Sequence, residues 1–171
     1  MLEMNTTNYD RMAEYSLILE GAFQVDDSAW EGSPFAWIRQ HNPKTVGAIG
    51  EQMISEWFKS NGSVVLPRES STHDRVVDGK RVEMKFSTMW TNGCYRFSQI
   101  RDQDYDALVC MGVSPHAMHC WMFPKDVVKE AISNKWILPQ HGGASAKETA
   151  WFGINPNYPP DWIQPYGGRI T

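Results

Sequence analysis

The chain has 171 residues, of which 42% are hydrophobic and 12% aromatic, and its formal net charge is −4. This length predicts one domain, and an aromatic content that includes eight Trp argues against a disordered chain. No apolar run approaches the roughly 20 residues that a bilayer-spanning helix needs, and the first residues lack the pattern of a signal peptide. The three Cys have no CxxC spacing, so we expect reduced thiols in a cytoplasmic protein.

Charge is unevenly distributed along the chain. Residues 1–34 carry seven acids and one Arg, whereas residues 35–171 carry fifteen Lys or Arg and thirteen Asp or Glu. This distribution permits a nucleic-acid substrate for the second part but does not by itself argue for one.

Helical periodicity is clearest in two segments of the first half. Residues 8–22 place apolar side chains on one stripe, and residues 44–60 repeat apolar residues at helical spacing up to Asn61-Gly62, a helix stop. Between them, residues 23–43 contain Gly, Pro and three large aromatics, which predicts an ordered loop.

Strand signals dominate the second half. A short buried strand is expected at 63–66, and Asp78-Gly79 is a two-residue turn signal that predicts a β-hairpin over residues 73–88. We then expect a short helix at 97–103, strands at 106–113, 116–123 and 149–154, a helix from Pro124 to about 133, and a Pro-rich tail that wraps the surface.

This order of elements predicts an α/β domain with a mixed sheet flanked by helices. We expect one domain over residues 1–171. Its core would be residues 44–136, preceded by a helix and ordered loop at 1–43 and followed by a wrapping segment at 137–171.

The hairpin places two carboxylates together. If Asp78-Gly79 is a two-residue loop, Val77 pairs with Lys80 and Asp74 lies opposite Glu83, with Cβ atoms about 4.5–5.5 Å apart. Lys85 follows Glu83 by two residues and so shares its face. Opposed carboxylates are destabilising unless a cation neutralises them, and two carboxylates are a normal protein contribution to a Mg²⁺ site.

His73-Asp74 followed by Glu83-Met84-Lys85 resembles the signature of the PD-(D/E)XK nucleases, with His73 in place of the usual Pro. The resemblance covers residues 44–123. It implies a restriction-endonuclease-like fold, with Asp74 and Glu83 as Mg²⁺ ligands (Mn²⁺ substituting) and Lys85 as a catalytic cation.

The same resemblance suggests roles for residues outside the hairpin. Glu51, on the helix before the first strand, matches a further acid that such nucleases often place there, with Gly47 and Gly50 allowing close backbone approach. Gln99 matches a catalytic position on the helix after the E-x-K strand. Arg101, Arg96 and Ser71 are candidates for contact with DNA.

Competing interpretations remain open at this stage. Asp78 is an alternative first acid, although Asp is favoured in turns for local reasons. Glu51 and Gln99 also fit ordinary helix-surface positions. His116, His119 and Cys120 fit a metal-binding domain, although no second Cys/His pair at zinc spacing follows.

The sequence therefore predicts a Mg²⁺-dependent endonuclease of double-stranded DNA, most like a small type II restriction or homing endonuclease. Cutting both strands favours a homodimer. The alternatives are a nuclease like the Holliday-junction resolvases and a non-catalytic binding module on the nuclease fold.

Overall fold

The computed structural model describes residues 8–24, 26–141 and 149–171. The chain divides into two compact units, Met1–Glu31 and Gly32–Thr171. The first contains helix α1 (Tyr9–Ala22) and a 3₁₀ turn at Ser28–Trp30. The predicted N-terminal helix is confirmed.

The second unit is a mixed α/β structure. Its helices are α2 (Pro43–Ser60) and α3 (Lys125–Ser133), with 3₁₀ turns at Ala36–Gln40 and Gln164–Tyr166. Its strands are β1 (Val65–Pro67), β2 (Arg75–Val77), β3 (Lys80–Thr88), β4 (Tyr95–Ile100), β5 (Ala107–Ser114), β6 (Ala117–Pro124), β7 (Leu138–Pro139), β8 (Ala150–Ile154) and β9 (Gly167–Arg169). Within the described residues, no helix is long and apolar enough to cross a bilayer.

The strands form two sheets. The larger has the order β1-β2-β3-β5-β6-β9, in which only β3 and β5 run parallel, and the smaller has the order β4-β8-β7. Strand β5 is buried along nearly its whole length, as its continuous apolar run predicts. The predicted strands at 106–113, 116–123 and 149–154 and the helix after Pro124 are confirmed within a residue or two.

Helix α2 begins and ends with recognisable signals. The Asn42 side chain accepts a hydrogen bond from the Thr45 N–H, and Pro43 occupies the first turn, where its missing donor has no consequence. Gly62 has a φ of +85°, in the left-handed region that ends helices. The helix buries Ile54 and Phe58 against the large sheet.

One prediction about elements is wrong, and two hold only in part. Residues 97–103 do not form a helix, because the alternation in Tyr95-Arg96-Phe97 puts both aromatics into the core as strand β4. The strand near 63–66 is an edge strand, with Val64 and Leu66 more than half exposed. The tail does not only wrap the surface, since it adds strand β9 to the large sheet and fully buries Ile163.

Candidate active site

The turn between β2 and β3 has the predicted geometry. Asp78 and Gly79 have φ values of +50° and +79°, and Val77 pairs with Lys80. Asp78 also fixes the edge strand, because its Oδ1 accepts from Val64 N–H at 2.8 Å and its own N–H donates to Val64 O at 2.9 Å. The contacts of Asp78 therefore account for its place in the turn.

Asp74 is held near Glu83 by hydrogen bonds to the backbone of β3, because it lies one residue beyond the paired part of β2. The paired register ends at Arg75 and Val82, and the Asp74 N–H donates to Val82 O at 2.9 Å. Its carboxylate Oδ2 accepts from Met84 N–H at 2.7 Å. The Asp74 carboxylate is thus anchored to the β3 backbone at the residue next to Glu83.

Glu83 and Lys85 form an ion pair on β3. Lys85 Nζ lies 2.9 Å from Glu83 Oε1, and the two side chains are only 19% and 13% exposed. Burial raises the pKa of Glu83, with the Asp74 charge adding to this effect and Lys85 opposing it. A largely buried carboxylate with a raised pKa is a frequent feature of functional sites.

Glu51 approaches the same two acids from α2. Burial raises its pKa, as do the charges of Asp74 and Glu83, whereas Arg75 and Arg68 lower it. Arg75 Nη1 lies 3.4 Å from Glu51 Oε2. The structure therefore brings three carboxylates into one electrostatic neighbourhood, as expected from the sequence for Asp74, Glu83 and Glu51.

A glycine on α2 makes this approach possible. A Cβ on Gly50 would overlap the side chain of Phe86 on β3, so only glycine allows the helix to pack this closely. Gly47 has open space around its Cα, and the expectation that it also serves close packing is wrong.

The acids have oxygen donors suited to a hard divalent cation, but they do not form a closed cage. Among residues 8–24, 26–141 and 149–171, no three His, Cys, Asp or Glu side chains are grouped as metal ligands. Asp74 and Glu83 supply two carboxylates, while Glu51 is engaged with Arg75. This set fits Mg²⁺, which commonly takes one or two carboxylates and fills its other positions with water and substrate phosphate.

Gln99 does not occupy the helix on which its expected role depends. It lies in strand β4 at a break in the pairing with β8, has a φ of +56°, and its N–H donates to Gln140 Oε1 at 3.0 Å. Arg101, just beyond the strand, is exposed and lowers the pKa of Glu83, which indicates that its charge acts on the acidic site.

Arg96 is held between two Trp rings on the smaller sheet. Its guanidinium carbon lies 4.3 Å from the centre of the Trp151 ring and 5.2 Å from that of Trp90, and Trp90 is half exposed. These are cation–π contacts that fix the guanidinium plane. Ser71 lies exposed in the loop before Asp74.

His73 organises that loop. Its side chain is 2% exposed, and its Nε2 accepts from Glu69 N–H at 3.2 Å. Thr72 Oγ1 donates to Asp104 O at 3.0 Å and ties the loop to the start of β5. The residue that replaces the usual Pro before the first acid therefore has a structural explanation.

The alternative metal cluster does not form within the described residues. His119 is buried, lies 2.8 Å from the Tyr95 hydroxyl through Nδ1, and stacks on Trp121. Burial raises the pKa of Cys120 to about 12, whereas His116 is exposed in a turn. These are the surroundings of core residues rather than of metal ligands.

Sequence reasoning missed Arg75. It has no motif of its own, and its contact with Glu51 depends on how α2 packs against β2, for which periodicity gives no signal. Arg75 also donates from Nη1 to the Asp74 carbonyl at 2.7 Å. One guanidinium therefore links two of the three acidic residues.

Comparisons with known proteins identify no family for this chain. No family model and no curated protein matches the chain. Among solved structures it is similar to that of a bacterial homing endonuclease, I-Ssp6803I, at 19% sequence identity. The TM-score is 0.48, over 74% of this chain and 86% of that one. A fold does not determine an activity, so the activity must be inferred from the side chains of the site.

Proposed function

We propose that the protein is a Mg²⁺-dependent endonuclease of double-stranded DNA with a restriction-endonuclease-like fold of the PD-(D/E)XK type. The observation that carries this proposal is the convergence of Asp74, Glu83 and Glu51 with the ammonium of Lys85 at one hairpin. Carboxylates placed this close together are destabilising unless a cation neutralises them, and a metal-dependent reaction supplies that cation.

Asp74 and Glu83 would hold the metal, and Glu51 would join them directly or through water. Bound Mg²⁺ would supply positive charge for the attacking water and for the phosphate oxygens. The Met84 N–H fixes the orientation of the Asp74 carboxylate, while Lys85 fixes that of Glu83. Because Lys85 lies on the face of β3 that bears the acids, its ammonium is placed to stabilise charge that develops on the scissile phosphate.

Contacts with DNA outside the acids would come from basic and polar groups around them. Arg101 lies within electrostatic reach of Glu83, the Arg96 plane is fixed by Trp90 and Trp151, and Ser71 is exposed on the loop before Asp74. A homodimer would cut both strands, with each protomer serving one of them. We propose a small enzyme of the type II restriction or homing kind.

The test is cleavage of a panel of plasmid, linear, branched and single-stranded DNA by the purified protein. We expect nicking or double-strand cleavage of duplex DNA with Mg²⁺ or Mn²⁺ and none with EDTA. Ca²⁺ should support binding without cleavage, because its looser coordination does not place the attacking water correctly. No cleavage of any substrate with either active metal would refute the proposal.

A pair of variants locates the first acid. Asp74→Asn should abolish cleavage while keeping an oxygen acceptor for the Met84 N–H, so the fold should persist. Asp78→Asn should cleave like the wild type, because Asn tolerates the left-handed turn and its amide oxygen can accept from Val64 N–H. An inactive Asp78→Asn beside an active Asp74→Asn would show that the first acid is misassigned.

A further inference from the structure

A groove runs along the outer side of the active site, between helix α2 and the edge strand β1. It encloses about 540 Å³ and starts at Arg75, the residue that contacts Glu51. Ser55 and Lys59 of α2 line one wall, and Arg68 lies on the other. Lys59 follows Glu51 by eight residues, so the groove extends about 12 Å along the helix axis from the acids.

The groove is basic although the protein is acidic. Lys59, Arg68 and Arg75 line it against the single carboxylate of Glu56, whereas the whole chain has a formal net charge of −4. Within the described residues, neither Lys59 nor Arg68 forms an ion pair. Arg68 acts on Glu51 only through its charge, by lowering the pKa of that carboxyl, and among the described residues neither cation is in a direct ion pair that an anion would have to break.

An unpartnered hydroxyl lies in the wall of the same groove. Ser55 is 7% exposed, and among the described residues its Oγ is one of three buried side-chain polar atoms without a hydrogen-bond partner. A buried polar atom without a partner is destabilising, so natural proteins seldom keep one without a use. A hydroxyl beside basic side chains is a common donor to phosphate oxygens.

We propose that this groove binds a backbone phosphate of the substrate strand next to the one that is cleaved. This proposal rests on the proposed nuclease function and adds the path by which the DNA backbone leaves the acidic site. Lys59 and Arg68 supply charge, Ser55 donates a hydrogen bond, and Arg75 connects the groove to Glu51. The occupant is a phosphodiester within a duplex rather than a free phosphate or nucleotide, because the groove is open and its cations are spread along it.

The experiment measures the affinity of a labelled duplex in Ca²⁺ buffer, in which no cleavage is needed, over a range of NaCl concentrations. The variants are Lys59→Gln, Arg68→Gln and Ser55→Ala. The matched control is Lys129→Gln, which removes one exposed Lys from α3, away from the groove. Unlabelled inorganic phosphate and a mononucleotide serve as competitors.

We expect Lys59→Gln and Arg68→Gln to weaken binding at low salt and to lower the salt slope by about one unit each. When NaCl is raised about four-fold, each phosphate contact accounts for about a 3.5-fold loss of affinity. A variant that lacks one contact should therefore lose about 3.5-fold less affinity than the wild type over the same range. Lys129→Gln should leave both quantities unchanged. Millimolar phosphate or mononucleotide should not displace the duplex beyond the effect of its ionic strength.

Ser55→Ala separates binding from a purely structural role. If the hydroxyl binds phosphate, Ser55→Ala should weaken duplex affinity about five-fold while raising the melting temperature of the free protein, because it removes an unpartnered polar atom. If Ser55 is only a buried residue, the melting temperature rises and affinity does not change, which overturns its assignment.

The outcome for the groove is distinguishable from the outcome for the nuclease. If the wild type cleaves DNA but the groove variants bind and cleave like Lys129→Gln, the groove proposal is wrong and the nuclease proposal stands. If the wild type cuts nothing but binds duplex DNA in a groove-dependent way, the nuclease proposal fails and the groove is still a phosphate site. Displacement of the duplex by low concentrations of free phosphate would also overturn the proposal, since it would identify a small-anion site.

Discussion

Replacement of Lys85 by Ala tests both the electrostatics and the chemistry of the site. Lys85 Nζ lies 2.9 Å from Glu83 Oε1, and it opposes the increase in the Glu83 pKa that burial and Asp74 produce. Without the ammonium, a carboxylate with only 13% of its side chain exposed keeps its burial and its negative neighbour. A hydrogen bond to a charged group contributes about 1.5–3 kcal/mol, and we expect the metal-free variant to lose that much stability near neutral pH.

The sign of the pH dependence follows from the direction of the shift. The Glu83 pKa is already raised in the folded protein, and it should rise further in Lys85→Ala. The folded variant then binds the proton more tightly than the unfolded chain does, so its stability falls as pH rises through the titration of Glu83. Below about pH 4, where the carboxyl is protonated in folded and unfolded chains, the difference from the wild type should vanish.

Urea unfolding of metal-free protein at several pH values measures this effect. The double variant Lys85→Ala with Glu83→Gln is the control, because it removes the unpaired carboxylate and should recover most of the lost stability. A stability loss that is independent of pH and that the double variant does not recover would show that Lys85 acts through packing of its stem rather than through the ion pair.

Cleavage and DNA binding should separate in the same variant. One ammonium among several basic groups contributes little to duplex affinity, so Lys85→Ala should bind DNA within a few-fold of the wild type. A single preorganised charge at the reacting group has an effect of about 10²–10³ on the rate, and the cleavage rate at saturating DNA should fall by that factor. Equal losses in affinity and rate would place Lys85 in binding rather than in the chemistry.

The other predictions concern the metal and the packing of α2. Glu83→Gln should raise the melting temperature of the metal-free protein near neutral pH, because it removes a carboxylate whose raised pKa makes its ionised form destabilising. Mg²⁺ at ten times its dissociation constant should stabilise the wild type by about 1.4 kcal/mol and leave Glu83→Gln unaffected; equal stabilisation of both would exclude Glu83 as a ligand. Gly50→Ala should lose about 1–3 kcal/mol in urea unfolding, because its Cβ would overlap Phe86, whereas Gly47→Ala, with open space in the same helix, should gain about 0.5–1 kcal/mol. If Gly50→Ala and Gly47→Ala changed the stability equally, α2 would pack less closely on β3 than the structure shows.

Local signals explain which parts of the fold could be predicted from the sequence. The Asp78-Gly79 turn has two residues with positive φ, and such turns fix the pairing of the flanking strands by themselves. Helix α2 has a capping Asn at one end and a glycine stop at the other, and both act within a few residues. Strand β5 is predictable because burial on both faces leaves a continuous apolar run.

The elements that were missed depend on distant contacts. Strand β4 is six residues long, and so short a run gives little periodicity to distinguish strand from helix until β8 is known to pair with it. Strand β9 contains two glycines and lies in a Pro-rich tail, and it becomes a strand only because β6 offers a free edge. Arg75 contacts Glu51 across two elements, and nothing in the local sequence of either one shows that contact.

The sequence predicts that Asp74 lies close to Glu83, but it does not predict the hydrogen bonds that hold Asp74 there. Counting residues from the turn puts Asp74 opposite Glu83, yet the paired register ends at Arg75 and the Asp74 carboxylate reaches β3 by accepting the Met84 N–H. An aspartate side chain that bonds to backbone is held more rigidly than one that projects from a regular ladder. The proximity of the two acids therefore depends on the side-chain length of Asp74, so Asp74→Glu should disturb the site more than its conserved charge suggests.

The three acids are held by three different partners, and this bears on how the site can act. Asp74 is held by a backbone N–H, Glu83 by the ammonium of Lys85, and Glu51 by the guanidinium of Arg75. Only the first of these partners is immobile, because the other two are long side chains that can turn away. A cation that bound Glu83 would compete with Lys85 for the same oxygens, and the displaced ammonium would stay tethered to β3 beside the acids. Three carboxylates face only the two cations of Lys85 and Arg75, so a metal ion that displaced Lys85 would free one positive charge beside the acids, where we propose that a phosphate binds.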